Sequence, residues 1–311
     1  MHRRKDIVII TNPAAGKGRS AHKADLVAKS LREMDNEVEV VRTSGPGGAE
    51  HVAAGIDGGC DLVVAVGGDG TLHEVINNLA SDIPVAPFPA GTANAVALGF
   101  GIPSDIEESA KIYDAFDIRR VDVGKIGESK FLLCISAGCD AEVVRRLAAA
   151  RKGSIAVLSY LRPIIGAFKG YRFPEFSVKV DGETVSDRAT LAVVGNMREY
   201  GMHMPVALNA CITDGLLDIC ILESRSFLNH LRFYGHVLNG SHLNLRGVHY
   251  RTGRRIAIEP RDVPAPLQID GEAAGHIPVD IEIVPEALSV CVGPDNRIDN
   301  PAMVRGEQSA I

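Results

Sequence analysis

The sequence predicts a doubly wound α/β unit followed by an antiparallel β-sandwich. Two observations carry this expectation. From Lys5 to about Ala115, apolar runs of strand length alternate with stretches of helical spacing, the pattern of a parallel sheet covered by helices. Around Arg119 to Lys125 the texture changes, and short runs with period-two alternation follow at close intervals, as they do in a sandwich.

In the first part, strands are predicted at 6–10, 37–42, 61–66 and 83–88, and helices at about 20–34, 47–57, 71–80, 93–99 and 104–115. The run Leu62-Val63-Val64-Ala65-Val66 is apolar throughout, as in a strand buried on both faces. The helix after it sets Leu72, Val75, Ile76 and Leu79 on one side, by the helical period. In the second part, strands are predicted at 121–126, 131–135, 175–180, 189–194, 217–222, 255–259, 267–270 and 279–284, with helical insertions at about 141–168 and 226–239. The first domain is placed at residues 1–123 and the second at 124–288, with a return of 289–311 to the first left open.

The chemistry concentrates where strands run into small-residue turns. Gly67-Gly68-Asp69-Gly70-Thr71 follows the buried run directly. Glycines there are expected to allow positive φ and to let N–H groups approach an anion, and the helix that follows adds its own N-terminal amides. A polyphosphate suits such a turn, and the Asp69 carboxylate then requires a metal or a donor group beside it. The turn is not Gly-x-Gly-x-x-Gly. Nor is Gly16-Lys17 part of a Walker loop, because Thr11 stands where the first glycine belongs and Gly18 follows the lysine. Two further loops have the same strand-turn-helix setting: Thr11-Asn12-Pro13-Ala14-Ala15-Gly16-Lys17-Gly18, and Pro87-Phe88-Pro89-Ala90-Gly91-Thr92-Ala93-Asn94. In an open parallel sheet such loops share one edge, where ligands bind.

Composition narrows the classes. The chain has 311 residues, 46% of them hydrophobic, and a net charge of −6. That is ample for a core and about two domains, with no global basic field for nucleic acid. There is no Trp, which weakens any base-stacking reading. The six cysteines contain no Cys-x-x-Cys pair and read as buried small hydrophobes in a reducing, cytoplasmic setting. Met1-His2-Arg3-Arg4-Lys5 runs straight into a strand, unlike a signal peptide. Ile155 to Phe168 is broken by Arg162, Pro163 and Gly166 and is too short to span a bilayer.

Five motifs occur in a telling order: Asn12-Pro13-x-x-Gly16, Gly67-Gly68-Asp69-Gly70-Thr71 with Glu74, Gly91-Thr92-x-Asn94, Asp214-Gly215-Leu216-Leu217-Asp218 and Asp270-Gly271-Glu272. In this the chain resembles the soluble lipid kinases, the bacterial diacylglycerol kinase-like proteins related to sphingosine and ceramide kinases. NAD kinases share the Gly-Gly-Asp-Gly turn, but their later Asn-Glu motif is not found. The resemblance implies a nucleotide domain, a β-sandwich, and an active site in the cleft between them. It implies an enzyme that transfers the γ-phosphoryl group of ATP, with Mg²⁺, to a lipid hydroxyl. Ala95 stands where many diacylglycerol kinases carry Asp. The sphingosine and ceramide kinase branch also has a small apolar residue there, so the lipid stays open. A non-catalytic regulator on the same scaffold would not need the carboxylates Asp69, Asp214, Asp270 and Glu272.

The resemblance also implies roles. Asn12, Pro13, Gly16 and Lys17 form the first nucleotide loop, Thr43 a second contact, Gly67 to Thr71 with Glu74 the phosphate and adenosine side, and Thr92 a third contact. Asp69 sits near a catalytic Mg²⁺. Asp214, with the Cys211 and Leu216 carbonyls, holds a structural Mg²⁺, a ligand set that suits a hard cation; the competing reading of Asp214-Gly215 is a hairpin turn. Asp270 and Glu272 form the catalytic pair, expected on one side of their segment because residues two apart in a strand face the same way. Which of them takes the proton is left open. A membrane-borne acceptor implies transient peripheral association, for which the basic and apolar stretch from Arg145 to Arg172 is a candidate. A homodimer is left open.

Overall fold

The computed structural model describes residues 3–13, 18–45, 47–56, 58–79, 82–150, 171–198 and 204–298. The chain divides into two compact units, Met1–Val123 with Pro285–Ile311, and Gly124–Val284.

The first unit is built on four parallel strands, β1 (Asp6–Thr11), β2 (Glu37–Arg42), β3 (Leu62–Gly67) and β4 (Val85–Pro89), in the spatial order β2-β1-β3-β4. Every residue of β3 is buried, as its unbroken apolar run requires between two neighbours and under helices. Helix α1 (Ser20–Glu33) turns Ala24, Val27, Ala28 and Leu31 to the sheet, the i, i+3, i+4, i+7 stripe of an amphipathic helix. Helices α2 (Gly48–Ala54), α3 (Asp69–Asn78), α4 (Ala95–Gly99) and α5 (Ile106–Ala115) complete the alternation. The Asp105 side chain accepts from Glu108 N at 2.9 Å and starts α5. The register pairs Thr11 with Arg42 and Val66, and Gly67 with Pro89. The carboxyl ends of all four strands therefore lie along one edge. The strand order reverses between β1 and β3, which places the loops after those two strands at the topological switch point.

The second unit is a two-sheet sandwich. Strands β5 (Ile118–Ile126) and β6 (Ser129–Phe131) lead into it. One sheet runs β12-β11-β10-β7-β14-β15, all antiparallel: β7 (Cys134–Gly138), β10 (Leu191–Gly195), β11 (Leu217–Leu222), β12 (Val248–Gly253), β14 (Pro266–Ile269) and β15 (Glu272–His276). The other pairs β9 (Glu183–Ala189) with β8 (Phe176–Val180), β8 with β13 (Arg255–Pro260), and β13 with the first half of β16 (Val279–Cys291). Inward residues of both sheets form one core, including Ile135, Val194, Ile219 and Leu267 from the first and Phe176, Val178, Ile258 and Ile281 from the second. The later residues of β16 belong to the first unit, where Val290 lies opposite Val85 of β4. Helix α6 (Cys139–Ala150) follows β7, and α7 (Phe227–Val237) follows β11.

Most predicted elements are present with shifted ends. The helix predicted at 71–80 starts two residues earlier, at Asp69, and the helix predicted at 93–99 starts at Ala95. The remainder of the insertion predicted at 141–168 lies outside the described residues after Ala150. Strands β9, β12 and β15 were not predicted. No described helix is long and apolar enough to cross a membrane.

Candidate active site

In the first unit, two of the predicted loops are tied together. Gly67 O accepts from both Ala90 N at 2.8 Å and Gly91 N at 3.0 Å. Asp69 reaches across, its two oxygens accepting from Ala95 N and Val96 N, each at 3.1 Å. It thus caps α4, whose own N-cap, Asn94, folds back onto Gly91 N at 2.8 Å. A carboxylate on the first amides of a helix satisfies donors that the helix cannot.

The glycines are not there for positive φ, as the sequence suggested. Gly68 has φ −101°, and none of Gly67, Gly70 and Gly91 is left-handed. Gly67 and Gly91 are there because a side chain has no room. A Cβ on Gly91 would lie 2.5 Å from Gly68 Cα, and one on Gly67 would lie 2.3 Å from Thr71 Oγ1.

Glu74, expected on the adenosine side, holds the start of α2: Gly47 N and Ala49 N donate to it at 3.0 and 3.2 Å. Thr43 is buried beside this turn, and its N–H donates to Thr11 O at 2.9 Å. Asn12 is buried, and its carbonyl accepts from Ser20 Oγ. Thr92 is exposed at the edge. Gly16 and Lys17 lie outside the described residues. Sequence reasoning passed over Lys23, whose Nζ donates to Pro89 O at 3.2 Å and lies 5.5 Å over the Phe88 ring. It also gave no role to Thr11, whose hydroxyl is buried at the sheet edge without a hydrogen-bond partner among the described residues.

In the second unit, Asp270 and Gly271 are the two central residues of the β14–β15 hairpin, where Ile269 pairs with Glu272. Both have positive φ, +46° and +86°, as a type I′ turn demands. The strand-like expectation that Asp270 and Glu272 face one way is therefore wrong; the turn between them rotates the two side chains apart. Asp270 points back into the sandwich. Its carboxylate accepts from Leu132 N, Leu133 N and Cys134 N at 3.0–3.1 Å. Glu272 is exposed, and its side chain has no hydrogen bond or ion pair with a described residue.

Behind the hairpin runs a polar chain that the sequence did not announce. Gly271 N donates to Gln268 Oε1 at 2.7 Å, Gln268 Nε2 to Ser136 Oγ at 2.9 Å, and Ser136 Oγ to Asp140 at 2.5 Å. Gln268 and Ser136 are fully buried, so satisfying these groups fixes the turn.

Asp214 does not make the alternative hairpin. It ends the long connection from β10 to β11, where its Oδ1 accepts from Leu216 N at 3.0 Å and its N–H donates to Cys211 O. Among the described residues no three His, Cys, Asp or Glu side chains gather as a metal cluster. The donor chemistry of one exposed carboxylate plus carbonyls still fits a hydrated hard cation. A neighbouring observation agrees with this. Asp218, 1% exposed, accepts from the Tyr250 hydroxyl at 2.7 Å through one oxygen, while the other is buried without a partner among the described residues. Burial pushes its carboxyl up to about 6, with Asp214 adding to the rise and the Tyr250 hydrogen bond opposing it.

The fold joins a parallel α/β unit to an antiparallel sandwich, and comparison with known proteins gives its class. Residues 6–126 match the family model described as the diacylglycerol kinase catalytic domain, and residues 133–292 the YegS C-terminal NAD kinase beta sandwich-like domain. The chain is 30% identical to the diacylglycerol kinase of Mycobacterium tuberculosis (strain ATCC 25618 / H37Rv) over 91% of this chain and 94% of that one. It is 26% identical to the diacylglycerol kinase of Bacillus subtilis (strain 168) over 87% and 90%. A crystal structure from Bacillus anthracis str. Sterne superposes with a TM-score of 0.80 at 25% identity, covering 94% of this chain and 96% of that one. The chain belongs to the bacterial diacylglycerol kinase-like family of lipid kinases.

Proposed function

We propose that this lipid kinase transfers the γ-phosphoryl group of ATP to a hydroxyl of diacylglycerol or a related lipid, such as a monoacylglycerol or a sphingoid base. The observation that carries the reading is the lashing of the Gly67–Thr71 turn to residues 90–96 at the carboxyl edge of the parallel sheet, through Gly67 O to the amides of Ala90 and Gly91 and through Asp69 to those of Ala95 and Val96. Phosphoryl transfer asks a protein for positioning and charge stabilisation more than for covalent chemistry, and turns fixed to one another supply positioning. Asn12, Pro13, Gly16, Lys17, Thr43, Gly67 to Thr71, Glu74 and Thr92 frame the nucleotide, with Glu74 acting through the α2 turn it holds. Mg²⁺, with Asp69 at the polyphosphate and with Asp214 and the Cys211 and Leu216 carbonyls in the sandwich, would supply neutralising positive charge.

Between the paired carboxylates, the geometry favours Glu272 as the group that orients the acceptor hydroxyl and takes its proton. Asp270 is occupied by three backbone amides and acts as the anchor of the turn that carries Glu272. The test is incubation with labelled ATP and Mg²⁺ against diacylglycerol, monoacylglycerol, a sphingoid base, ceramide and NAD, with Glu272→Gln beside the parent. Labelled lipid is expected from the parent. The variant should turn over about 10²–10⁴ more slowly, the usual contribution of a general base, with unchanged affinity for ATP. Label on NAD alone, or parental turnover by the variant, would sink the reading.

A further inference from the structure

The outer face of α7 departs from the ordinary pattern of a surface helix. Its inner face buries His230, Phe233 and Val237. The opposite face carries Leu228, Leu231 and, one residue past the helix, Leu238, which are 71%, 59% and 72% exposed. Positions 228, 231, 235 and 238 follow the helical period, so the three leucines form one stripe, with only Gly235 between them. A helix with apolar residues on both faces is normally covered on both. Clustered apolar exposure of this kind marks an interaction surface, while single exposed residues do not.

What flanks the stripe indicates its partner. Beside α7 lies a groove of about 500 Å³ lined by Arg188, Glu223, Arg232, Leu245, Arg246 and His249, among others. Arg188 is held by Glu223. Arg232 and Arg246 are exposed and form no ion pair or hydrogen bond with a described residue. Two guanidinium groups with no partner among the described residues line a groove beside the helix that carries three exposed leucines, in a chain whose net charge is −6. A second copy of the chain fits poorly, because a two-fold contact centred on this stripe would bring the arginines of one copy toward those of the other. A surface with an apolar interior and anionic phosphates at its rim complements both features.

We infer that the α7 face docks the protein on an anionic phospholipid bilayer, with Leu228, Leu231 and Leu238 entering the interfacial layer and Arg232 and Arg246 on lipid phosphates. The inference rests on the reading that a membrane presents the acceptor. It also assigns a surface to the peripheral association that the sequence placed at Arg145 to Arg172. There, Arg145 and Arg146 both bind Glu142 of their own helix, and residues 151–170 lie outside the described residues.

The test is sedimentation of the full chain with phosphatidylcholine vesicles, with and without phosphatidylglycerol. The parent is expected to bind the phosphatidylglycerol vesicles and to bind more weakly as salt rises. Arg232→Gln with Arg246→Gln should lower that affinity roughly thirtyfold, about one kcal/mol for each arginine near an anionic surface. The same pair should leave binding to pure phosphatidylcholine nearly unchanged. Leu228→Ser with Leu231→Ser and Leu238→Ser should lower affinity for both vesicles by about tenfold or more. All five side chains are exposed, so both variants should melt with the parent. Phosphorylation of a short-chain diacylglycerol in solution reports the kinase reading separately and should be unaffected by either variant. Failure of the parent to bind phosphatidylglycerol vesicles, or parental binding by both variants, overturns the inference. So does a parental dimer that the leucine variant turns into a monomer while vesicle binding persists, since the stripe would then be a contact between copies. Vesicle binding through this face with no phosphorylation of any lipid would leave the docking surface standing and remove the kinase reading.

Discussion

The Gly67–Thr71 turn and the Asp270–Gly271 hairpin use the same two residue types for opposite physical reasons. In the first, the glycines have ordinary φ and no room: a Cβ on Gly91 would meet Gly68 Cα at 2.5 Å. In the second, Gly271 has φ +86° and nothing within 4 Å of where a Cβ would be. The aspartates, by contrast, do the same job in both places. Asp69 caps the amides of residues 95 and 96, and Asp270 gathers those of 132 to 134. In these two turns the motif aspartate is a fastener for backbone. Crowding governs one set of glycines and dihedral angle the other, so the two turns should respond differently to the same substitutions.

The largest effect is expected at Asp270. Asp270→Ala leaves three amides at the largely buried Leu132–Cys134 segment without their acceptor. An unmet buried donor costs about 1–3 kcal/mol, so a loss of roughly 3–5 kcal/mol should appear in chemical denaturation. Asp270→Asn keeps one acceptor oxygen and should lose less than half of that. A parental unfolding midpoint for Asp270→Ala, with turnover abolished, would reverse the assignment and make Asp270 the chemical group.

Asp218 offers a pH test of a carboxylate that is not such a fastener. Its carboxyl is pushed from the ordinary value of 3.8 up to about 6, first by burial and then by Asp214. Between those values the native chain holds a proton that the unfolded chain has released. Stability therefore falls as pH rises through that window and stays low above it. Asp218→Asn removes the effect while keeping an acceptor for Tyr250. In EDTA, the variant should match the parent near pH 4 and exceed it by about 3 kcal/mol near pH 7, since each tenfold change in proton affinity is worth about 1.4 kcal/mol. Curves that stay parallel across that range would mean that Asp218 is ionised in the native protein at no cost.

Much of this was legible in the sequence, and the failures have causes. The central strands β1, β3, β4, β10 and β11 were readable because strands with neighbours on both sides carry apolar residues. The missed strands β9, β12 and β15 are all at sheet edges. There one side meets solvent: Glu183–Ala189 is largely polar, and Glu272–His276 is a short, exposed run of small and polar residues. The motif residues were legible as a set, and their contacts were not. The partners of Asp270 lie 136 to 138 residues away, and no local pattern reports a bond across that separation. The reason for each glycine was hidden similarly, since Gly68 and Gly91 are required by each other. The leucines of α7 were visible as a helical run, but only packing reveals which face is left open.

Gly91→Ala should come next in size. The new methyl must displace both the Gly68 backbone, 2.5 Å away, and the Asn94 side chain, 2.9 Å away, and overpacking of this kind costs about 1–3 kcal/mol. The displaced atoms belong to the proposed phosphate edge, so calorimetry should show a fall in Mg-ATP affinity alongside the lower melting temperature. Gly68→Val belongs to the same test, since a Cβ there already approaches Gly91 Cα at 3.3 Å. Unchanged nucleotide affinity in both variants would detach these turns from ATP.

The smallest effect, and the one that closes the comparison, is at Gly271. The site is exposed and open, so only its left-handed backbone resists a side chain. Alanine there should cost about 1 kcal/mol, the usual penalty for an L-residue in this region. Asparagine, which tolerates the left-handed region, should cost a few tenths, and both variants should keep ATP affinity. At Gly91 the ranking should invert, because asparagine is bulkier than alanine and crowding is what matters there. Measuring Ala and Asn at both positions therefore separates the two reasons for glycine in one set of melts. If Asn is the worse replacement at Gly271 as well, steric contact governs the hairpin too, and the contrast drawn between the two turns fails.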